Sequence, residues 1–249
     1  MRDQAAACEA FRALHVPGRP LILFNIWDAG SAAAVERAGA QALATGSWSV
    51  AAAHGFGDGE QLPLALAIDN LRRITAAATL PVSIDLEAGY GDPAHAVGEA
   101  TAGGAVGCNL EDGRIGGGHY AIAEQCERLA SARAAADRGG GFFINARVDL
   151  ILDAAPGDDR AALLDATIER ALAYVEAGAD GIFVPGLVEE AAIARLCEAC
   201  PQPINIMASP NAPSATRLAE LGVARISHGP GPYRLAMKAL EDAARQALG

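Results

Sequence analysis

The chain has 249 residues, 51% hydrophobic and 20% charged, which is enough apolar material for one large α/β domain with a substantial core. A formal net charge of −11 excludes nucleic acid or an anionic membrane surface as the main partner, because both are held by basic patches. It leaves open a small anion held by a few local arginines. No stretch combines a basic segment, an apolar run and a small-residue cleavage site, so no signal peptide is expected. No apolar run reaches the roughly 18 residues of a membrane span. Five cysteines, an odd number, fit reduced thiols in a cytoplasmic protein. Cys197 and Cys200 form a lone C-x-x-C on an expected helix and read as small residues near a helix end.

In chain order, short apolar runs alternate with longer amphipathic stretches. The runs cover 21–28, 41–47, 81–87, 107–112, 141–149, 181–186, 203–209 and 225–230. The helix-like stretches cover 30–39, 62–78, 93–103, 120–138, 159–177, 188–199, 213–221 and 232–248. Many of these begin at a capping residue or proline and end near glycine, as in Ser31 to Gly39, Pro93 to Gly103, Asp159 to Gly178 and Pro213 to Gly222. Continuous apolar strands belong in a parallel sheet buried on both faces. Eight such units in this length predict a closed (β/α)8 TIM barrel rather than an open doubly wound sheet. No Gly-x-Gly-x-x-Gly turn follows the first strand to favour the open sheet. No linker or charge block divides the chain, so residues 1–249 are expected to form a single domain.

In such a barrel the C-terminal strand ends form one rim, where chemistry collects. The expected strand ends carry Asn25, Asp28, Ser47, Asp85, Glu87, Glu111, Asp112, Asn145, Arg147, Asp149, Asn205, Ser209 and His228. Asp85 and Glu87 lie two apart, so on a strand they face one side, and Glu111 ends the next strand. Three carboxylates without a histidine pair suit a hard cation, Mg2+ or Mn2+, that keeps several waters. The competing reading is a set of rim acids neutralised by Arg147 and helix N-termini. Arg147 is the one basic residue among these ends, placed either to fork a substrate carboxylate or to pair with Glu111 or Glu87. Thr45-Gly46-Ser47-Trp48-Ser49 closes the second strand with hydroxyls and successive amides, a possible anion cradle. Lys238, in the last helix, is the only lysine, so Schiff-base chemistry at the rim has no nucleophile.

At this point the motifs resemble the isocitrate lyase / phosphoenolpyruvate mutase superfamily. The resemblance runs from NIWDAGSAAAVERAGAQALATGS through GFGDGE, DLEAGYGD, NLEDG and ARVDL to AYVEAGADGIFVPG. It implies a (β/α)8 barrel, a homodimer or homotetramer with the last helix exchanged between neighbours, bound Mg2+, and a small 2-oxo acid as substrate. By position it implies Asp85, Glu87 and Glu111 as metal-site carboxylates acting in part through water. It implies Asp58 as an acid near metal and substrate, and Ser47 with the amides of Trp48 and Ser49 as a carboxylate-binding turn. It implies Arg147 as the substrate arginine, and 112–120 as a gating loop.

The departures are equally informative. The loop reads GRIGGGH where the isocitrate and methylisocitrate lyases carry Lys-Arg-Cys-Gly-His, and strand 6 ends in Val184-Pro185-Gly186 where a histidine or glutamate is expected. Glu87 stands where many members have aspartate. His119 and His228 remain as candidates for proton transfer, with His228 taken as the catalytic one. The expected activity is Mg2+-dependent C–C cleavage of a small 2-oxo or 2-hydroxy dicarboxylic acid through a pyruvate-type enolate, with oxaloacetate decarboxylation as its simplest form. The alternatives are a phosphonopyruvate mutase or hydrolase, and a barrel that binds a small acid without turnover.

Overall fold

The structure is a computed structural model that describes residues 3–249. Among these residues eight parallel strands form one sheet: β1 (Leu21–Leu23), β2 (Leu43–Ala44), β3 (Val82–Asp85), β4 (Gly107–Glu111), β5 (Phe143–Arg147), β6 (Gly181–Val184), β7 (Ile204–Met207) and β8 (Arg225–Ser227). Their order is β1-β8-β7-β6-β5-β4-β3-β2. A parallel bridge from Ile26 to Thr45 brings β1 and β2 together, so the sheet becomes a nearly closed barrel. Helices α1 (Gln4–Ala13), α2 (Ala29–Arg37), α3 (Ser47–Ala53), α4 (Leu64–Ala77), α5 (Pro93–Ala102), α6 (Ile122–Arg138), α7 (Arg160–Glu176), α8 (Glu190–Ala199), α9 (Ala215–Glu220) and α10 (Gly231–Leu248) follow the chain order. The expected (β/α)8 barrel is the fold. No described helix is long and apolar enough to cross a membrane.

The period-2 alternation of the strands divides the interior into two shells. Ile84, Cys108, Leu110, Ile144, Ala146, Ile182, Val184, Ile204, Ile206 and Ile226 pack outward against Ile68, Leu71, Leu129, Tyr174 and Leu196 of the helices. Inside the barrel, Leu21, Leu23, Ala42, Ala44, Val106 and Phe143 gather around Phe11 of α1. This helix was not expected from the sequence. Asp3 caps it by accepting from the amides of Ala5 and Ala6, and Phe11 meets Phe143 edge-on at 5.6 Å, closing one end of the barrel. The C-x-x-C sits on α8 and at its end as free thiols, and burial pushes Cys197 up to about 11, far from a reactive thiolate.

His15 follows α1 and stacks on Phe143 at 4.2 Å, with Nδ1–H donating to the Phe11 carbonyl at 2.9 Å. Burial, reinforced by the charge of Arg225, pulls its pKa down to about 3. The native state therefore holds this ring neutral while the unfolded chain protonates near 6.5. Its contribution is complete above about pH 6.5 and is lost as pH falls towards 3, at a slope approaching roughly 1.4 kcal/mol per pH unit. His15→Phe should flatten that part of the stability–pH curve, measured by denaturant unfolding between pH 7 and 4.

One flank of the barrel is left bare. Pro232 is the only buried residue of α10, while Leu235 and Leu240 are 66% and 63% exposed. The outer face of β1 is also open, with Ile22 and the adjacent Phe24 both exposed.

Candidate active site at the barrel mouth

The second strand stops at Ala44, before the expected 47, because Gly46 caps α3, and this turns Ser47, Trp48 and Ser49 into a helix start at the rim. Ser47 N–H donates to Asp85 Oδ2 at 3.1 Å, and Ser49 N–H to the Gly46 carbonyl at 3.1 Å. Thr45 Oγ1 accepts from the Asp85 amide at 3.0 Å, which fixes the end of β3 against β2. Asp85 Oδ1 is left buried with no partner, and so is the Ser49 hydroxyl. An ionised oxygen in that position is costly unless a cation or donor meets it.

Glu87 reaches the site by another route than the strand pleat expected. β3 ends at Asp85, and Glu87 has a left-handed φ of 50°, so it does not continue the alternation. Its buried carboxylate accepts from the Glu60 amide at 2.7 Å and from the Tyr90 hydroxyl at 3.4 Å. Glu60 in turn accepts from the Tyr90 amide at 2.6 Å. Glu60, Glu87 and Tyr90 all have positive φ, at 59°, 50° and 53°. Such backbone costs on the order of 1 kcal/mol or more per residue, and here it latches the loop carrying Asp58 onto the turn after β3. Burial, with the charges of Asp85 and Asp58 added, pushes Glu87 up to about 7. Asp58 is raised as well, by burial and then by Asp85, while the Gly59 amide and the Ser47 hydroxyl hold it in place.

On the neighbouring strands, Glu111 and Arg147 are register partners across β4 and β5, and the Glu111 amide donates to the Glu87 carbonyl at 2.9 Å. Arg147 Nη1 lies 2.7 Å from Glu111 Oε2, and its Nε 2.6 Å from Asp149 Oδ1. The ion pair with Glu111 is thus present, and two buried carboxylates hold the guanidinium in one orientation. Burial raises both acids, while their charges push Arg147 further up. Asp112 turns away from the rim. It accepts from Arg170 at 3.0 Å, from Tyr174 at 2.8 Å and from the Asp149 amide at 3.0 Å, and so anchors the base of the segment 112–120. That segment is a short hairpin, with Gly113 bridging His119 and Gly116, Gly117 and Gly118 at positive φ. His119 Nε2 lies 3.2 Å from Asp153 Oδ2.

A cavity of about 210 Å3 brings together Ser47, Trp48, Ser49, Asp58, Asp85 and Arg147. Glu87 shares an adjoining cleft with Asp85 and Tyr90, and Glu111 stands behind Arg147. His228 is not brought in. Its amide donates to Asn25 Oδ1 at 2.9 Å, but its ring packs on Phe24 at 5.1 Å and does not line the cavity. Glu60, Tyr90, Asn109, Ser227 and Arg225 went unread in the sequence. Only Arg225 left a signal there, as a lone charge within the apolar strand Ala224-Arg225-Ile226.

Among the described residues no three His, Cys, Asp or Glu side chains close into a metal cage. The mouth instead offers one carboxylate oxygen, Asp85 Oδ1, that lacks a partner, with further acids around it. That donor set suits a hard cation that keeps most of its water.

Comparison with known proteins places the chain in a family. The family model described as phosphoenolpyruvate phosphomutase matches residues 11–248. An uncharacterised protein of Mycobacterium tuberculosis is 37% identical over 95% of this chain and 88% of its own length. The 2-methylisocitrate lyase of Escherichia coli is 34% identical over 79% of this chain and 68% of its own. A crystal structure from Burkholderia cenocepacia J2315, described provisionally as a phosphonomutase, superposes with a TM-score of 0.95 at 51% identity, covering 98% of this chain and 99% of that one. With a match over almost its whole length, the chain belongs to the phosphoenolpyruvate phosphomutase family, within the isocitrate lyase / phosphoenolpyruvate mutase superfamily.

Proposed function

We propose that the chain is a Mg2+-dependent lyase that cleaves a C–C bond of a small 2-oxo or 2-hydroxy dicarboxylic acid through a pyruvate-type enolate. The observation that carries this reading is Asp85, which lines a cavity together with Arg147 and whose Oδ1 is buried without a partner. Mg2+, or Mn2+ in its place, would supply a Lewis acid for the 2-oxygen of the substrate. Asp85 would hold it directly, and Asp58, Glu87 and Glu111 through water. Arg147, already aligned by Glu111 and Asp149, presents its remaining N–H donors to the substrate carboxylate. The Ser49 hydroxyl and the Trp48 amide orient the same end of the anion, and Ser47 completes that turn with its hydroxyl on Asp58. The glycine-rich hairpin over 112–120 acts as the lid that excludes water.

Oxaloacetate decarboxylation fits best because neither candidate histidine lines the cavity, and loss of CO2 needs only a held 2-oxo acid. The experiment is pyruvate release from oxaloacetate, 2-methylisocitrate, alkylated malates and phosphonopyruvate, each with Mg2+ and with EDTA. Metal-dependent pyruvate from a C–C substrate supports the reading; pyruvate and phosphate from phosphonopyruvate alone favour a hydrolase, and phosphoenolpyruvate formed from it without pyruvate favours a mutase. The similarity to the Burkholderia structure is the reason to keep that second reading. Binding of acid and Mg2+ without product would leave a non-catalytic small-acid-binding barrel.

We also propose a homodimer or homotetramer in which α10 packs on a neighbouring copy. The support is the exposed stripe of Leu235 and Leu240 beside the bare face of β1. Leu235→Glu with Leu240→Glu should reduce the mass in light scattering to that of the 25.4 kDa chain. A wild-type protein that is already monomeric would contradict the exchange.

A further inference from the structure

The barrel interior beneath the mouth is polar in a way the site above does not use. Arg225 is 1% exposed and is the largest fully buried side chain among the described residues. Its hydrogen bonds go to neutral groups. Nη2 donates to Asn109 Oδ1 at 3.1 Å and Nε to Ser227 Oγ at 3.4 Å, while Nη1 is buried with no acceptor. A barrel centre is ordinarily filled by branched apolar side chains, and a buried guanidinium with no carboxylate in hydrogen-bond contact is costly, although the charge of Asp85 offsets part of that cost. Gly181 leaves room for this layer, since a Cβ there would stand 2.9 Å from Asn145 Oδ1.

The direction of these bonds decides what the layer presents to the cavity. A guanidinium only donates, so Asn109 must turn its oxygen towards Arg225, and Asn145 Nδ2 donates to that same oxygen at 2.9 Å. The Asn109 amide nitrogen is thereby directed elsewhere. Ser227 Oγ accepts from Arg225 and, at 3.0 Å, from Asn205 Nδ2, which occupies both lone pairs and leaves its O–H to donate. Asn109 and Ser227 both line the cavity that contains Ser47, Asp85 and Arg147.

We propose that Asn109 and Ser227 form a second subsite at the floor of the cavity, which takes the distal carboxylate of a dicarboxylic substrate, with Arg225 behind them as the positioning residue. This rests on the reading given under Proposed function. Two neutral donors face the ligand, and the positive charge one hydrogen bond behind them favours an anion there. Arg147, two residues further up the neighbouring strand β5, has two of its groups held by Glu111 and Asp149, so it serves one substrate carboxylate and not two.

The test is titration calorimetry in the presence of Mg2+ with two probes, pyruvate, which has one carboxylate, and malate, which has two. The proteins are wild type, Ser227→Ala and Asn109→Asp. Asn109→Asp keeps the shape, gives Arg225 a carboxylate partner that supports folding, and removes the donor that faces the ligand. Each variant should weaken malate by about tenfold or more, the loss of a hydrogen bond to a charged group. Pyruvate affinity should stay within about twofold, a split that a merely structural role would not produce. Malate and pyruvate affinities that fall together, or that both stay unchanged, would overturn the subsite. Wild type that binds pyruvate but not malate would overturn it while leaving the metal-anchored 2-oxo acid reading intact. Wild type that binds neither would overturn both.

Discussion

Asp85→Asn should lower Mg2+-dependent turnover by about a thousandfold or more while leaving the protein folded, since the relief of Asp58 and Glu87 opposes the lost attraction to Arg225 and Arg147. The amide keeps an oxygen to accept from the Ser47 amide, and Oδ1, which the substitution replaces, has no protein partner to lose. Removing its charge also relieves Asp58 and Glu87, both of which Asp85 pushes upward. What disappears is the anionic ligand, and with it several kcal/mol of stabilisation of the developing enolate, which corresponds to about three decades in rate. Steady-state kinetics over a Mg2+ titration, run beside denaturant unfolding, checks both halves. Full activity with ordinary Mg2+ dependence would remove Asp85 from the metal site.

Arg147 makes the opposite kind of prediction, because it carries structure as well as binding. Arg147→Met strands Glu111 and Asp149, both buried, and should cost about 3–5 kcal/mol at neutral pH. Without the guanidinium, burial raises the native pKa of both acids still further above their unfolded values. A carboxylate raised in this way keeps its proton in the native state while the unfolded chain ionises. The destabilisation is therefore absent below about pH 4 and grows as pH rises towards neutrality. Arg147→Lys keeps the charge but not the planar fork. It should fold, and should raise KM by about ten- to a hundredfold with a smaller effect on kcat. Denaturant unfolding from pH 4 to 7.5 and steady-state constants test the pair. Unchanged KM in Arg147→Lys for every acid that turns over would contradict the substrate role.

Much of the fold was legible because its signals are local. The eight apolar runs and the helices between them, with Pro93 and Gly103 or Asp159 and Gly178 at their ends, carry their own boundaries. The elements that escaped were those whose reason lies elsewhere in the molecule. Nothing near Phe11 shows that α1 will plug the barrel against Phe143, and the helix at Ser47 depends on Gly46 ending a two-residue strand.

The candidate site divides in the same way. Asp85, Glu111 and Arg147 lie where strand ends place them, so spacing sufficed. Glu87 arrives through a left-handed turn held by Glu60 and Tyr90, a contact 27 residues away in sequence that no strand periodicity encodes. His228 occupies a strand end as expected, yet the Asn25 side chain fixes its backbone and its ring falls on Phe24, outside the cavity. The polar floor was hidden because Asn109, Arg225 and Ser227 come from strands far apart in sequence and meet only inside the barrel.

On the proposed reading, this mouth binds an enolate on a metal held by Asp85. Oxalate, a planar dianion shaped like the enolate of pyruvate, tests it most directly by calorimetry with Mg2+ and with EDTA, on wild type and Asp85→Asn. Oxalate should bind at least about a hundredfold more tightly with Mg2+ than with EDTA, and that gain should vanish in Asp85→Asn. Oxalate affinity that is the same with and without the metal, or a Mg2+ effect that survives in Asp85→Asn, would contradict it.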